Sequence, residues 1–178
     1  METFFATCPR GLEDALAREL AALGARGGRA VPGGAGFTGS LETCYRANLE
    51  SRIASRVLWR VGAGRYGSED DIYQAARRLT WGEWIGPDQT LRVDLAAIRS
   101  PLRSLEFATL RIKDAVCDRF REETGRRPSV DTLSPEVRIH AFLAREEFTL
   151  YLDTSGDALF KRGLRPAPGE APLRENLA

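Results

Sequence analysis

The chain has 178 residues, 43% of them hydrophobic and 29% charged, which is enough to bury one good core or two small ones. Its formal net charge is only +1, so no overall field marks it as a nucleic-acid-binding protein. No stretch has the apolar length of a membrane helix, and the first residues lack the basic and apolar segments of a signal peptide. We therefore expect a soluble, cytoplasmic protein without a membrane partner.

The first third of the chain alternates short strand patterns with two amphipathic helical patterns. In chain order these are a strand at 4–7, a helix at 11–25, strands at 29–31 and 36–38, a helix at 41–52 and a strand at 54–65. The order β-α-β-β-α-β is that of a ferredoxin-like domain. We expect this domain to cover residues 1–66.

A second set of elements follows from Gly67 onward. Ser68 and the three acids after it predict a capped helix over 67–79, and a loop or short helix follows at 81–89. A strand pattern covers 90–98, and the longest helical pattern runs from Ser104 to Thr124 before Gly125. Alternation over 136–144 and 148–155 predicts a hairpin. The chain thus reads as two α+β units, the second over 67–160, and a linker over 161–178.

The segment GAGFTG, Gly34 to Gly39, formally satisfies the G-x-G-x-x-G pattern of nucleotide-binding loops. Such a loop must join a strand to a helix whose N-terminus faces the phosphate. Here Pro32 precedes it, Phe37-Thr38 resembles a strand, and no acidic residue stands about 20 residues later. We interpret the segment as a hairpin turn.

Few other residues indicate chemistry. Three isolated cysteines, Cys8, Cys44 and Cys117, and the single histidine, His140, provide no metal-ligand set and no nucleophile pair. We expect reduced thiols that behave as small apolar residues, and no metal. The tryptophans Trp59, Trp81 and Trp84 could stack on bases, but we expect core anchors.

Positive charge is concentrated locally. Residues 68–98 contain three cations and six anions, whereas residues 99–127 contain eight cations and five anions. Arg126 and Arg127 follow a helix end, where cations are favourable in any protein. We predict phosphate contacts first at Arg111, Lys113, Arg126, Arg127, Lys161, Arg162 and Arg165, and second at Arg99 and Arg103.

Five segments, taken in this order and spacing, resemble one known family. They are FFATCPRGLEDALARELAALGA, SRIASRVL, LRIKDAVCDRFREETGRRPSVD, LDTSGDALFKRGLR and APLRENLA. They resemble the N-terminal half of the THUMP-containing RNA guanine-N2 methyltransferases, nearest to the bacterial large-subunit (23S) rRNA type. The resemblance implies a ferredoxin-like domain followed by a THUMP domain that binds structured RNA. It also implies a Rossmann-like methyltransferase domain that uses S-adenosyl-L-methionine.

That catalytic domain is not expected in this chain. The family's methyl-transfer motif is Asn or Asp followed by Pro-Pro and an aromatic residue, and the chain contains no Pro-Pro. The resemblance therefore transfers no catalytic and no cofactor residues to this sequence. It implies that the chain holds rRNA for a C-terminal methyltransferase domain. A tRNA guanine-N2 methyltransferase, and a protein-interaction adaptor that uses WGEWI, stay open as alternatives.

Overall fold

The computed structural model describes residues 1–162 and residue 176, and it divides the chain into two compact units. One unit contains Met1–Trp59 and Asp153–Ala178, and the other contains Arg60–Leu152. The elements are β1 (Glu2–Thr7), α1 (Glu13–Ala22), β2 (Arg26–Val31), β3 (Gly34–Gly39), α2 (Leu41–Glu50), β4 (Arg56–Arg65), α3 (Glu69–Arg77), β5 (Leu91–Ile98), α4 (Leu105–Thr124), β6 (Val137–Ala144) and β7 (Glu147–Asp153).

The first unit packs two helices against an antiparallel sheet with strand order β2-β3-β1-β4. Alternate residues of β1, Phe4 and Ala6, are buried, and Phe4 stacks on Phe37 with ring centroids 5.2 Å apart. Leu16 and Leu20 of α1 lie four residues apart on one helix face and complete this core. The predicted β-α-β-β-α-β order is confirmed.

The second unit contains a mixed sheet in which β6 pairs antiparallel with β7 and parallel with β5. The predicted cap of α3 is confirmed, because Ser68 Oγ accepts from the Asp71 amide while the Asp71 carboxylate accepts from the Ser68 amide. Helix α4 begins after Ser104 and ends at Gly125, whose φ of +70° suits glycine. Its buried face includes Ile112 and Phe120.

The strands predicted at 29–31 and 36–38 are confirmed as parts of β2 and β3, which pair as an antiparallel hairpin, but GAGFTG is not the turn of that hairpin. All six residues belong to β3, and the turn lies just before them, at Pro32 and Gly33. The glycines allow close backbone approach, since a Cβ atom built on Gly34 would lie 2.1 Å from the carbonyl oxygen of Ala6. The sequence pattern misled because glycine serves both turns and crowded strands.

The chain passes from one unit to the other between residues 59 and 60 and again between residues 152 and 153. The sequence predicted these boundaries at 66 and 160. Backbone bonds of the residues after β7 explain the second difference. The Thr154 amide donates to the carbonyl of Val57 at 3.0 Å, and the Leu159 amide donates to the carbonyl of Ser55 at 2.9 Å. This segment therefore belongs to the first unit, where Leu159 joins the core.

Candidate nucleic-acid interface

Four of the predicted phosphate-binding residues of the second unit lie beyond the two ends of α4. Arg99 and Arg103 precede its first residue, and Arg126 and Arg127 follow its last. A helix of twenty residues is about 30 Å long. The two pairs therefore cannot hold one phosphate group, and they could share a ligand only if it were an extended polyanion.

Arg111 lies in the middle of α4 and takes part in the contact between α3 and α4. Its guanidinium is 2.5 Å from Asp70 Oδ1 and stacks over the ring of Tyr73 at 3.8 Å. Beside it, the Tyr73 hydroxyl donates to Asp118 at 2.9 Å. Burial, together with this hydrogen bond, raises the pKa of Tyr73. Arg111 thus contributes to the packing of α3 against α4.

Three other predicted cations have carboxylate partners at the surface. Lys113 Nζ lies 2.6 Å from Asp114 Oδ1, and Arg127 lies 3.7 Å from the same oxygen. Arg126 makes a bidentate contact with the Asp88 carboxylate. The pairs of Arg126 and Arg127 are exposed, and such pairs are worth about 0 to 1 kcal/mol, so a phosphate can replace the carboxylate there at small cost.

Lys161 and Arg162 are neighbours in the first unit with different surroundings. Arg162 donates to the backbone carbonyls of Leu49 and Ser51, both at 3.0 Å, and to that of Asn48. These oxygens end α2, where the helix dipole favours a cation. Lys161 is exposed and has no ion pair within the described part of the chain. Arg165 lies outside the described residues.

Within residues 1–162, the predicted cations that lack a carboxylate partner are Arg99, Arg103, Lys161 and Arg162, and Arg162 binds backbone carbonyls instead. Sequence reasoning missed Arg145, which is also exposed and unpaired among the described residues and lies in the two-residue turn between β6 and β7. Asn or Gly would be usual in such a turn. The unusual dipeptide Arg-Glu at that point was the signal available in the sequence.

The tryptophan prediction is confirmed for Trp81, which is fully buried and donates its indole N–H to the carbonyl of Ala76 at 2.8 Å. The Trp84 ring packs edge to face against the Trp81 ring, with the ring centroids 5.8 Å apart. Ile85 is buried as well. Trp81 and Ile85 of the segment WGEWI therefore belong to the core, and Trp84 is half-buried. The segment does not supply the exposed apolar patch that the adaptor alternative needs.

The described residues do not form a cradle for S-adenosyl-L-methionine. The glycine-rich segment lies within β3 and pairs with β1, so its backbone amides are not arranged around a helix N-terminus. No group of three or more His, Cys, Asp or Glu side chains suited to a metal occurs in the part of the chain that the structure describes. The three cysteines are free thiols, and burial raises the pKa of Cys44.

No helix among the described residues is both long and apolar enough to cross a membrane.

Family models match both units. The model of the RlmL ferredoxin-like domain matches residues 3–58, and the model of the THUMP domain matches residues 66–153. The chain therefore contains an RlmL-type ferredoxin-like domain followed by a THUMP domain. The predicted fold class, an α+β protein with a ferredoxin-like and a THUMP domain, is confirmed.

Similar proteins are described as methyltransferases. The chain is 47% identical over 175 residues to the Ribosomal RNA large subunit methyltransferase K/L of Syntrophotalea carbinolica. It is 42% identical over 178 residues to the protein of the same name from Aeromonas hydrophila. These matches cover 98% and 100% of this chain but 24% and 25% of the relatives. The chain thus spans about a quarter of the length of these relatives.

Solved structures show the same fold. A protein described as a predicted N6-adenine-specific DNA methylase from Listeria monocytogenes has a TM-score of 0.86 and 30% identity. Another, assigned as a methyltransferase and solved in complex with SAH, has a TM-score of 0.84 and 27% identity. Each match covers 99% of this chain and 46% of the other chain.

Proposed function

We propose that this chain is the RNA-binding portion of a methyltransferase that uses S-adenosyl-L-methionine to methylate the exocyclic N2 of a guanine in 23S rRNA. Two observations carry the proposal together: the match of 98 to 100% of this chain to part of the large-subunit rRNA methyltransferases, and the THUMP domain. The chain would hold structured rRNA for a C-terminal catalytic domain. Attachment in one polypeptide raises the effective concentration of the target guanine at that domain.

RNA binding would depend mainly on phosphate contacts, because the deep major groove of A-form RNA hides the base edges. Arg99, Arg103 and Lys161 are the strongest candidates, since no carboxylate competes for them within the described residues. The surface-paired residues Lys113, Arg126 and Arg127 would exchange their carboxylates for phosphates. Arg111, Arg162 and Arg165 complete the proposed set.

Competition binding separates rRNA from tRNA as the target. A labelled fragment of 23S rRNA is bound to the chain by filter binding at low ionic strength, and unlabelled tRNA is added. We expect tRNA to compete weakly compared with the same mass of unlabelled 23S fragment. Equal or stronger competition by tRNA would favour the tRNA alternative.

The chemistry is tested with the intact gene product. Mass spectrometry of 23S rRNA digests from cells that lack the gene should show one N2-methylguanosine fewer than digests from wild-type cells. An unchanged content of N2-methylguanosine in 23S rRNA would contradict the proposed reaction.

A role in protein association, the adaptor alternative, is favoured by one different surface. Leu41, Tyr45 and Leu49 follow one another at four-residue spacing along α2, and all three are exposed. A Leu41→Ser, Leu49→Ser double variant distinguishes the roles. RNA affinity should be unchanged in this variant if RNA binding is the function, whereas an adaptor would lose its protein complexes in sedimentation.

A further inference from the structure

A pocket of about 750 Å³ lies at the end of β5 in the second unit, and three arginines line it. They are Arg65, Arg99 and Arg145, and they come from three separate segments of the chain. The lining also contains Glu146 and Glu147, so positive charges exceed negative charges by one. Three guanidinium groups from distant positions in the sequence thus converge on one pocket.

The backbone at two of these arginines is in an unusual conformation. Arg99 and Arg145 both have φ of +54°, and they are the only residues other than glycine with positive φ among the described residues. This left-handed region is unfavourable for a residue with a long side chain, and Gly or Asn would occupy it with less strain. Strained positions of this kind cluster at ligand-binding sites.

Hydrogen bonds between the three segments hold the arginines in place. The Arg145 amide donates to the carbonyl of Ile98 at 3.0 Å, and the Tyr66 amide donates to the carbonyl of Glu146 at 2.8 Å. The Tyr66 hydroxyl lies 2.8 Å from Ser100 Oγ. The backbone on either side of the pocket is thus fixed before any ligand arrives, which lowers the entropic cost of binding.

Two of the three guanidinium groups lack a carboxylate partner in residues 1–162. Only Arg65 has one, Glu146 Oε2 at 2.7 Å, and both of these side chains are largely exposed, at 79% and 65%. Arg99 and Arg145 have no ion pair there. Two unpaired guanidinium groups at one open pocket attract an anion whose oxygens can accept bidentate hydrogen bonds.

We propose that Arg65, Arg99 and Arg145 form a phosphodiester-binding site that grips the backbone of the RNA. The inference rests on the proposed function, since it assigns the site within the second unit at which RNA phosphate is held. Phosphate oxygens match the planar fork of arginine, and a pocket open to solvent admits a continuous polynucleotide. At Arg99 and Arg145 the left-handed backbone places an arginine at the pocket lining at the expense of folding stability.

The test uses variants that relieve strain and remove charge together. Arg99→Asn and Arg145→Asn place a residue that tolerates positive φ at each position. We expect each variant to melt at the same temperature as the wild-type chain or higher, and yet to bind a 23S rRNA fragment about tenfold more weakly. The slope of log affinity against log salt should fall by about 0.7 to 0.9 for each lost phosphate contact. Arg78→Asn, at an exposed arginine that does not line the pocket, is the matched control and should change neither slope nor affinity.

The outcomes separate the two proposals. If the wild-type chain binds RNA and the Asn variants bind it with unchanged affinity and slope, the pocket assignment is overturned while the proposed function stands. If the wild-type chain binds no RNA at low salt, both are overturned. Inorganic pyrophosphate serves as a second probe. If it binds the wild-type chain but not the Arg99→Asn, Arg145→Asn double variant, and RNA affinity is equal for the two, the pocket takes small phosphates and the proposal fails.

Discussion

Replacement of Arg162 by alanine should destabilise the first unit, because its guanidinium holds the last turn of α2. Three carbonyls, those of Asn48, Leu49 and Ser51, accept from this one side chain. A hydrogen bond that involves a charged group contributes about 1.5 to 3 kcal/mol when it is sheltered, and a cation at a helix C-terminus contributes about 0.3 to 1 kcal/mol. Because the residue is exposed, we expect a loss of about 1 to 2 kcal/mol in total.

Differential scanning calorimetry measures this effect. In a chain of this size, each kcal/mol shifts the melting temperature by about 2 to 4 °C, so a decrease of about 2 to 8 °C is expected. Arg162→Lys should be intermediate, since one ammonium cannot reach three carbonyls with the geometry of a guanidinium. Lys161→Ala is the matched control, because Lys161 is the adjacent exposed cation and has no ion pair among the described residues.

The two neighbouring cations should therefore separate stability from RNA binding. Lys161→Ala should leave the melting temperature unchanged and weaken RNA binding. Arg162→Ala should lower the melting temperature, as its main effect. If Arg162→Ala left the melting temperature unchanged and weakened RNA binding as Lys161→Ala does, our interpretation of Arg162 as a helix-end ligand would be refuted.

Three further predictions concern the folded chain itself. Gly34→Ala should lower the free energy of unfolding by about 3 kcal/mol in chemical denaturation, because its Cβ atom would overlap the carbonyl oxygen of Ala6. Gly36→Ala is the control and should be neutral or slightly stabilising, because a Cβ atom there has no neighbour within 4 Å. Equal losses of stability in the two variants would contradict the packing of β3. Asp71→Asn should lower the melting temperature at neutral pH. Backbone hydrogen bonds from Gly67, then the Ser68 hydroxyl, hold the pKa of Asp71 below its ordinary 3.8, so the carboxylate's contribution is complete above that pH and is lost as the pH falls through the lower, folded-state pKa. The difference between variant and wild type should thus shrink below about pH 3.8, and a difference that persisted in acid would refute this role. Burial raises the pKa of Cys8 from 9.0 to about 11, so little thiolate is present at pH 8. Iodoacetamide should therefore label Cys8 far more slowly than a free thiol at pH 8, as measured by mass spectrometry. Labelling at the rate of a free thiol would contradict this prediction.

Local patterns in the sequence were sufficient to predict most of the secondary structure. The Ser68 cap, the end of α4 at Gly125 and the alternation in β6 depend on neighbouring residues in the chain, and each is found where the pattern places it. GAGFTG was misread because Gly34 is required by a close contact with Ala6 of β1, and no local sequence pattern contains that contact.

The candidate site was harder to predict than the fold. Charge alone could not distinguish Arg111, which pairs with Asp70 across two helices, from Arg99, which has no carboxylate partner in the described residues. Arg145 was missed because its significance lies in its backbone conformation, which belongs to the turn between β6 and β7, and in its proximity to Arg99, which follows from the pairing of β5 with β6. Long-range pairing decides which cations are available for a ligand.

The most direct test of the central claim is the affinity of the purified chain for a 23S rRNA fragment, measured across a salt series that begins at low ionic strength. The account predicts binding whose logarithm falls linearly with the logarithm of salt concentration, with a slope that corresponds to several phosphate contacts. Absence of binding at the lowest salt, or binding that does not respond to salt, would contradict it.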